Sequence, residues 1–204
     1  MSDKSKNCKV VVLGESGVGK TCLITRYVSD TYTETTCSTN GATYASKTVD
    51  IDDIHLRFDI WDTAGQEKYR SLTKFFYKDA AIAILVYDIT RRGSFEEIKK
   101  YWIEQLKTCG DKNVIIGIAG NKSDLFSEEE ITESEAQEFA TSINAIFNLT
   151  SAYQNNGINE LFQSLGKKFL DPNYQVNGNT NKSNKIKLDK KKNSNKQTDK
   201  KKFC

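Results

Sequence analysis

The octapeptide Gly14-Glu15-Ser16-Gly17-Val18-Gly19-Lys20-Thr21 stands between an apolar run over residues 8–13 and a helix-spaced stretch over 20–29. A buried strand, a Gly-rich turn ending in Lys-Thr and a helix, in that order, leave few folds open. The glycines let backbone N–H groups turn inward, and the helix that follows presents its positive end, so the segment is a cradle for a polyphosphate. Within it Lys20 is placed to reach the β and γ phosphates, the Thr21 hydroxyl to ligate Mg²⁺, and the backbone from Gly14 through Cys22 to line the phosphates. This names a nucleotide phosphate site without naming the base.

Apolar and helix-spaced segments alternate up to about residue 170. Residues 43–51 and 54–61 are rich in β-formers and are separated by Asp52-Asp53, a hairpin signal. The continuous apolar runs over 80–87 and 114–119 suit strands covered on both faces. Helical spacing fills 92–109, 134–143 and 158–170, and Thr132-Glu133-Ser134-Glu135 has the form of a capping box. The expected fold is α/β: about six strands and five helices, the strands forming a mostly parallel six-stranded sheet with one antiparallel hairpin at its edge and helices on both faces.

Three further segments fall just after strands. Asp62-Thr63-Ala64-Gly65-Gln66 offers a carboxylate for Mg²⁺, a glycine N–H that can approach the γ-phosphate, and a glutamine that can orient an attacking water. Asn121-Lys122-Ser123-Asp124 offers an aspartate that can accept from guanine N1–H and from its exocyclic amine. Adenine lacks that donor pair, so the wrong base would leave a buried carboxylate unpaired. Lys122 can lay its aliphatic stem over the base. In isolation such a segment is a common polar turn; its place after the fifth strand gives it meaning. Thr150-Ser151-Ala152 follows residues 145–149 and could offer the Ala152 N–H to guanine O6, although alone it is a weak signal and reads rather as a plain helix-entry loop.

Charge and cysteines bound the rest. The 204-residue chain carries a net +3, of which residues 173–204 contribute +8 and residues 1–172 contribute −5. An acidic body argues against nucleic acid as a ligand, whereas a basic tail is drawn to an anionic membrane leaflet. No run approaches the ~18 apolar residues of a membrane span, and the first residues hold no apolar leader, so a cytosolic chain is expected. The expected organisation is a short extension over 1–7, one domain over 8–172, and a disordered Asn/Lys-rich tail over 173–204. The five cysteines, at 8, 22, 37, 109 and 204, have no metal-ligand spacing; Cys8, Cys22 and Cys109 are expected to be small buried residues.

Taken together, GESGVGKT, WDTAGQE, NKSD and TSA resemble the Ras superfamily of small GTPases. The segments 38–44, 61–73 and 85–90 are similar to Rab proteins, and the phrasing from residue 51 to residue 90 is similar to their endosomal subgroup. The resemblance implies a GTPase that binds Mg²⁺ with GTP or GDP and regulates vesicle traffic as a monomer. Its implied partners are an exchange factor, an activating protein, a GDP-dissociation inhibitor or escort protein, and effectors. It implies that Thr39 closes on Mg²⁺ and the γ-phosphate, that Tyr32 packs against the guanine, and that residues 33–44 and 63–78 are the mobile switches. Tyr44, Trp61 and Tyr77 would form an aromatic triad read by effectors, with Asn40, Gly41 and Tyr69 on the same surface. Ser151, Ala152 and Tyr153 would complete the base site beside Asn121, Lys122 and Asp124.

The chain departs from the family at three places. Asn40 stands where Rabs usually carry Ile, and Tyr153 where they carry Lys after Ser-Ala; the second change predicts faster nucleotide exchange. The chain ends in a single cysteine, Cys204, behind lysines, where Rabs typically end in two. One prenyl chain on Cys204 reinforced by the basic tail is expected, since one lipid alone holds a membrane only marginally. Two rival readings stay open: a nucleotide-stabilised interaction module that scarcely turns over, and a metabolic kinase, although no acceptor or lid segment is evident for the latter.

Overall fold

The computed structural model describes residues 4–33, 39, 42–64 and 76–175. Asn40, Gly41, Gly65, Gln66, Tyr69, Cys204 and the lysine-rich segment therefore lie outside the described residues.

Strands β1 (Ser5–Leu13), β2 (Ala42–Ile51), β3 (Ile54–Thr63), β4 (Ile82–Asp88), β5 (Ile115–Asn121) and β6 (Ile146–Leu149) form one sheet in the order β2-β3-β1-β4-β5-β6. All neighbours are parallel except β2 and β3, which form the expected edge hairpin. Its turn is Asp52-Asp53, with φ of 48° and 63°: two left-handed residues, the backbone a two-residue hairpin turn requires.

Strand β1 begins three residues earlier than the apolar run suggested. Its first residues pair only with β3, and only Val10–Leu13 are flanked by β4 as well, so polar Lys6 and Asn7 are tolerated there.

Among the described residues the longer helices are α1 (Lys20–Ser29), α2 over 92–109, α3 (Glu133–Ser142) and α4 (Ile158–Leu170); a 3₁₀ helix spans Ser123–Glu128, and residues 76–77 are also helical. Half of the expected capping box forms at α3: the Glu135 N–H donates to the Thr132 hydroxyl, whereas the Glu135 carboxylate accepts from Arg92. Helix α2 is wound in three pieces, and in the middle one, Ile98–Trp102, the Ile103 N–H donates to Ile98, five residues back.

Side chains alternate across the sheet. Val10 and Val12 of β1 and Ile82, Ile84 and Val86 of β4 pack with α1 and α4, while Val11, Leu13, Ala83, Leu85 and Tyr87 pack with α2 and α3. Cys8 is buried as expected, and burial pushes its thiol up to about 12; Cys22 and Cys109 are only half-buried.

The strand order fixes where a ligand fits. From β1 the chain proceeds to β3 on one side and to β4 on the other, so the carboxyl end of β1 is the topological switch point, where the connecting loops part and leave a crevice.

Candidate functional site

The phosphate loop leaves β1 at this crevice. Two of its glycines are dictated by geometry. A Cβ on Gly14 (φ 144°) would lie 2.3 Å from the Val86 carbonyl oxygen, and one on Gly19 (φ 93°) would lie 2.4 Å from Asn121 Nδ2. The loop is thus pressed against both β4 and the base segment. Val18 is buried under it, Glu15 and Ser16 are at its rim, and the Arg91 guanidinium donates to the Ser16 carbonyl at 3.1 Å while facing the Glu15 carboxylate at 3.6 Å.

Lys20 opens α1, whose first turn contains no acidic residue. Its side chain is 5% exposed, and its ammonium donates to the Gly14 and Glu15 carbonyls at 2.8 and 2.7 Å. Burial lowers its pKa to about 8, against the pull of Asp62 and Glu15. A buried cation at the start of a helix whose first turn has no acidic residue fits an anionic ligand.

Thr21, Thr39 and Asp62 come together although they lie on α1, a loop and β3. The Thr21 hydroxyl donates to Asp62 Oδ2 at 2.6 Å and lies 2.8 Å from the Thr39 hydroxyl. Thr39 also hydrogen-bonds to the Asp62 carboxylate, so the three side chains form one cluster. Asp62 Oδ1 is buried with no hydrogen-bond partner among the described residues. Burial raises the Asp62 carboxyl above its ordinary value, opposed by Thr21 and Lys20. Two hydroxyls and an orphaned carboxylate oxygen are a hard, all-oxygen donor set, which fits Mg²⁺.

The base segment is bolted to the phosphate loop. Asn121 is 2% exposed; its amide donates to the Val18 carbonyl at 2.8 Å and accepts from the Thr150 hydroxyl at 3.2 Å. Lys122 turns left-handed (φ 64°), and the Ser123 N–H bonds to the Thr150 carbonyl, which joins the two loops after β5 and β6. Asp124 Oδ1 accepts from the buried Ser151 hydroxyl, which itself accepts from the Gln154 N–H. Ala152 is buried, whereas Tyr153 is 62% exposed and meets Tyr32 edge-on at 5.5 Å.

The sequence reading missed Asp88. Buried at the end of β4, it grips the Lys122 ammonium at 2.6 Å. Burial pushes its carboxyl up, but Lys122 and Thr90 outweigh this and hold it below its ordinary value. An acidic residue closing a wholly apolar strand at the switch point was the available signal.

One expectation is corrected. Tyr77 does not join Tyr44 and Trp61: it is 1% exposed, packed in the core facing α2. The ring beside Trp61 is Phe76, at 5.5 Å, with Tyr44 at 5.5 Å on the same indole. Successive residues of a helical turn point about 100° apart, so a shift of one residue exchanges the surface for the core. The Tyr44 hydroxyl is held by Asp59 and Arg57.

The sequence profile of the Ras family matches residues 9–171. The chain is 41% identical over 166 residues to the Ras-related protein RABF2b of Arabidopsis thaliana, covering 81% of this chain and 82% of that one. It is 41% identical over 175 residues to mouse Ras-related protein Rab-31 (86% and 89%) and 41% identical over 163 residues to human Ras-related protein Rab-22A (80% and 84%).

Proposed function

The chain belongs to the Ras family, among its Rab members, and from that premise we propose that it is a GTP-hydrolysing switch that governs effector binding in vesicle traffic. The observation that supports this best is the convergence of Lys20, the Thr21–Asp62 pair and the Asn121–Asp124 segment on one crevice, with Asn121 tying base and phosphate ends together.

In this reading the phosphate loop, from Gly14 to Cys22, surrounds the phosphates and Lys20 neutralises the β and γ oxygens. Thr21, Thr39 and Asp62 hold Mg²⁺, which when bound spreads the charge that builds up as the terminal phosphoryl group leaves. Asp124 accepts from the guanine N1–H and amine, Ala152 offers its N–H to O6, and Lys122, steadied by Asp88, covers the base. Tyr32 and Tyr153 flank it as an edge-on pair, where the family's lysine would supply a stem; quicker nucleotide exchange is part of the proposal. Gly65 and Gln66 serve the γ-phosphate and the attacking water. Hydrolysis is positioning and electrostatics, slow unless an activating partner adds an arginine. Loss of the γ-phosphate releases Thr39, and residues 33–44 and 63–78 change order, altering the surface of Tyr44, Trp61, Phe76, Asn40, Gly41 and Tyr69 that effectors read.

Single-turnover hydrolysis on the purified full chain tests the reading. We expect a rate on the order of 10⁻⁴–10⁻³ s⁻¹, lowered at least about tenfold by Gln66→Leu with GTP affinity kept. Tight GTP binding with no turnover in the wild type would favour the interaction-module reading instead.

The net +8 of residues 173–204 and the single Cys204 support attachment to the cytosolic face of endosomal membranes by one prenyl chain plus charge. Cys204→Ser should shift the tagged protein in cells from membranes to cytosol. Unchanged membrane residence would remove this part of the proposal.

A further inference from the structure

We propose that Arg26 is a specificity-determining positioning residue: it holds the backbone of Ala152 so that its N–H meets the guanine O6. The inference rests on the proposed function, in which Ala152 reads that atom.

Arg26 lies on the last turns of α1, the helix that begins with Lys20 and Thr21. Its side chain is 15% exposed, and its fork is almost fully used. Nε donates to the Ala152 carbonyl at 2.8 Å and Nη2 to the Tyr153 carbonyl at 3.4 Å. Nη1 turns back to the Asp30 carbonyl at 2.8 Å, with Asp30 Oδ1 at 3.4 Å. Asp30 is fixed in turn: it caps α1 left-handed (φ 54°) and accepts from the Asn155 amide at 2.8 Å, in the same loop as Ala152. The guanidinium also lies 5.9 Å from the centre of the Tyr32 ring, which meets Tyr153.

Two successive carbonyls of the base loop are thus gripped by one planar group, a geometry that a lysine ammonium cannot reproduce. On the other side of Ala152, Ser151 and Asn156 bridge each other through both backbone groups, at 2.9 and 3.1 Å. Between these two restraints sits the Ala152 N–H. The residue is 4% exposed, and its N–H meets no acceptor among the described residues. A buried donor left without a partner is rare and points to a ligand acceptor. Arg26 stands six residues from Lys20, about 9 Å along a rigid helix, so α1 also carries the phosphate and base contacts on one body.

The experiment compares GDP, inosine diphosphate and 6-thioguanosine diphosphate on the full chain by competition binding, for wild type, Arg26→Gln and Arg26→Lys. The thio analogue changes only O6, to a weak acceptor, whereas the inosine nucleotide keeps O6 and lacks the amine. Wild type should prefer GDP over the thio analogue. Arg26→Gln should weaken GDP and inosine diphosphate alike, by about tenfold or 1.4 kcal/mol, and the thio analogue by less than about twofold, so that the preference shrinks. Arg26→Lys, which keeps the charge, should show the same pattern at smaller size, with thermal melts confirming the fold of both. Equal weakening of all three nucleotides, or none, overturns the proposal and leaves Arg26 a structural residue. A wild type that binds GDP and the thio analogue alike overturns the O6 reading of Ala152 itself.

Discussion

Asp124→Ala should lower the affinity for GTP by on the order of a thousandfold and leave ATP bound no more weakly than before, erasing the choice of purine. Two hydrogen bonds to a carboxylate, each worth about 1.5–3 kcal/mol, set that size. The proposed role of the aspartate is to read the base, and the link it makes between the two loops is one of several. Its Oδ1 is taken by the Ser151 hydroxyl, and the hydroxyl keeps its bond from the Gln154 N–H when the carboxylate is gone. Besides the Asp124–Ser151 bond, the two loops are joined by Thr150 to Asn121 and by the Ser123 N–H to the Thr150 carbonyl, and these two bonds do not need Asp124. Asp124→Asn provides the gain that unfolding could not mimic, since its amide can donate to the 2-oxo group of xanthine. Competition of ATP, GTP and xanthosine triphosphate against a fluorescent nucleotide measures all three. A variant that still prefers GTP over ATP would place base recognition elsewhere.

Lys20→Met should move two measurements in opposite directions. Affinity for GDP and GTP should fall by at least about a thousandfold, because charge-assisted bonds from a buried ammonium to phosphate are among the strongest available. The nucleotide- and metal-free protein, however, should not lose stability. Burial lowers the Lys20 pKa from 10.5 to about 8, so its charge costs the empty fold roughly 3 kcal/mol relative to the unfolded chain. Below pH 8 that cost is present in full. Between pH 8 and 10.5 the unfolded chain binds the extra proton and the folded one does not, so wild-type stability climbs with pH across this window. The methionine variant should lack that climb. Urea denaturation of both proteins after chelation, from pH 7.5 to 10, reads the difference. A variant markedly less stable than wild type at pH 7.5 would make Lys20 a structural residue.

The short motifs were legible because each is local. Gly14 to Thr21 is a strand–turn–helix whose backbone follows from its own glycines, and Asp52-Asp53 sets the hairpin by itself. The start of β1 was not, since apolarity reports how many neighbours a strand has, and Lys6 and Asn7 have β3 alone. The π-wound turn at Ile98–Trp102 was equally hidden: the spacing of Ile98, Trp102 and Leu106 is the same for either winding, and packing against the sheet selects one.

What the sequence determined alone was therefore the class of the fold, the family resemblance and the contiguous segments proposed to contact a nucleotide. What only the tertiary structure decided were pairs far apart in the chain: Lys122 with Asp88, Arg26 with Ala152, and Phe76 in place of Tyr77 beside Trp61. Such pairs depend on which strand lies next to which and in what register. A local window fixes backbone conformation but carries no term for that choice, which burial of the whole sheet makes once, for all residues together.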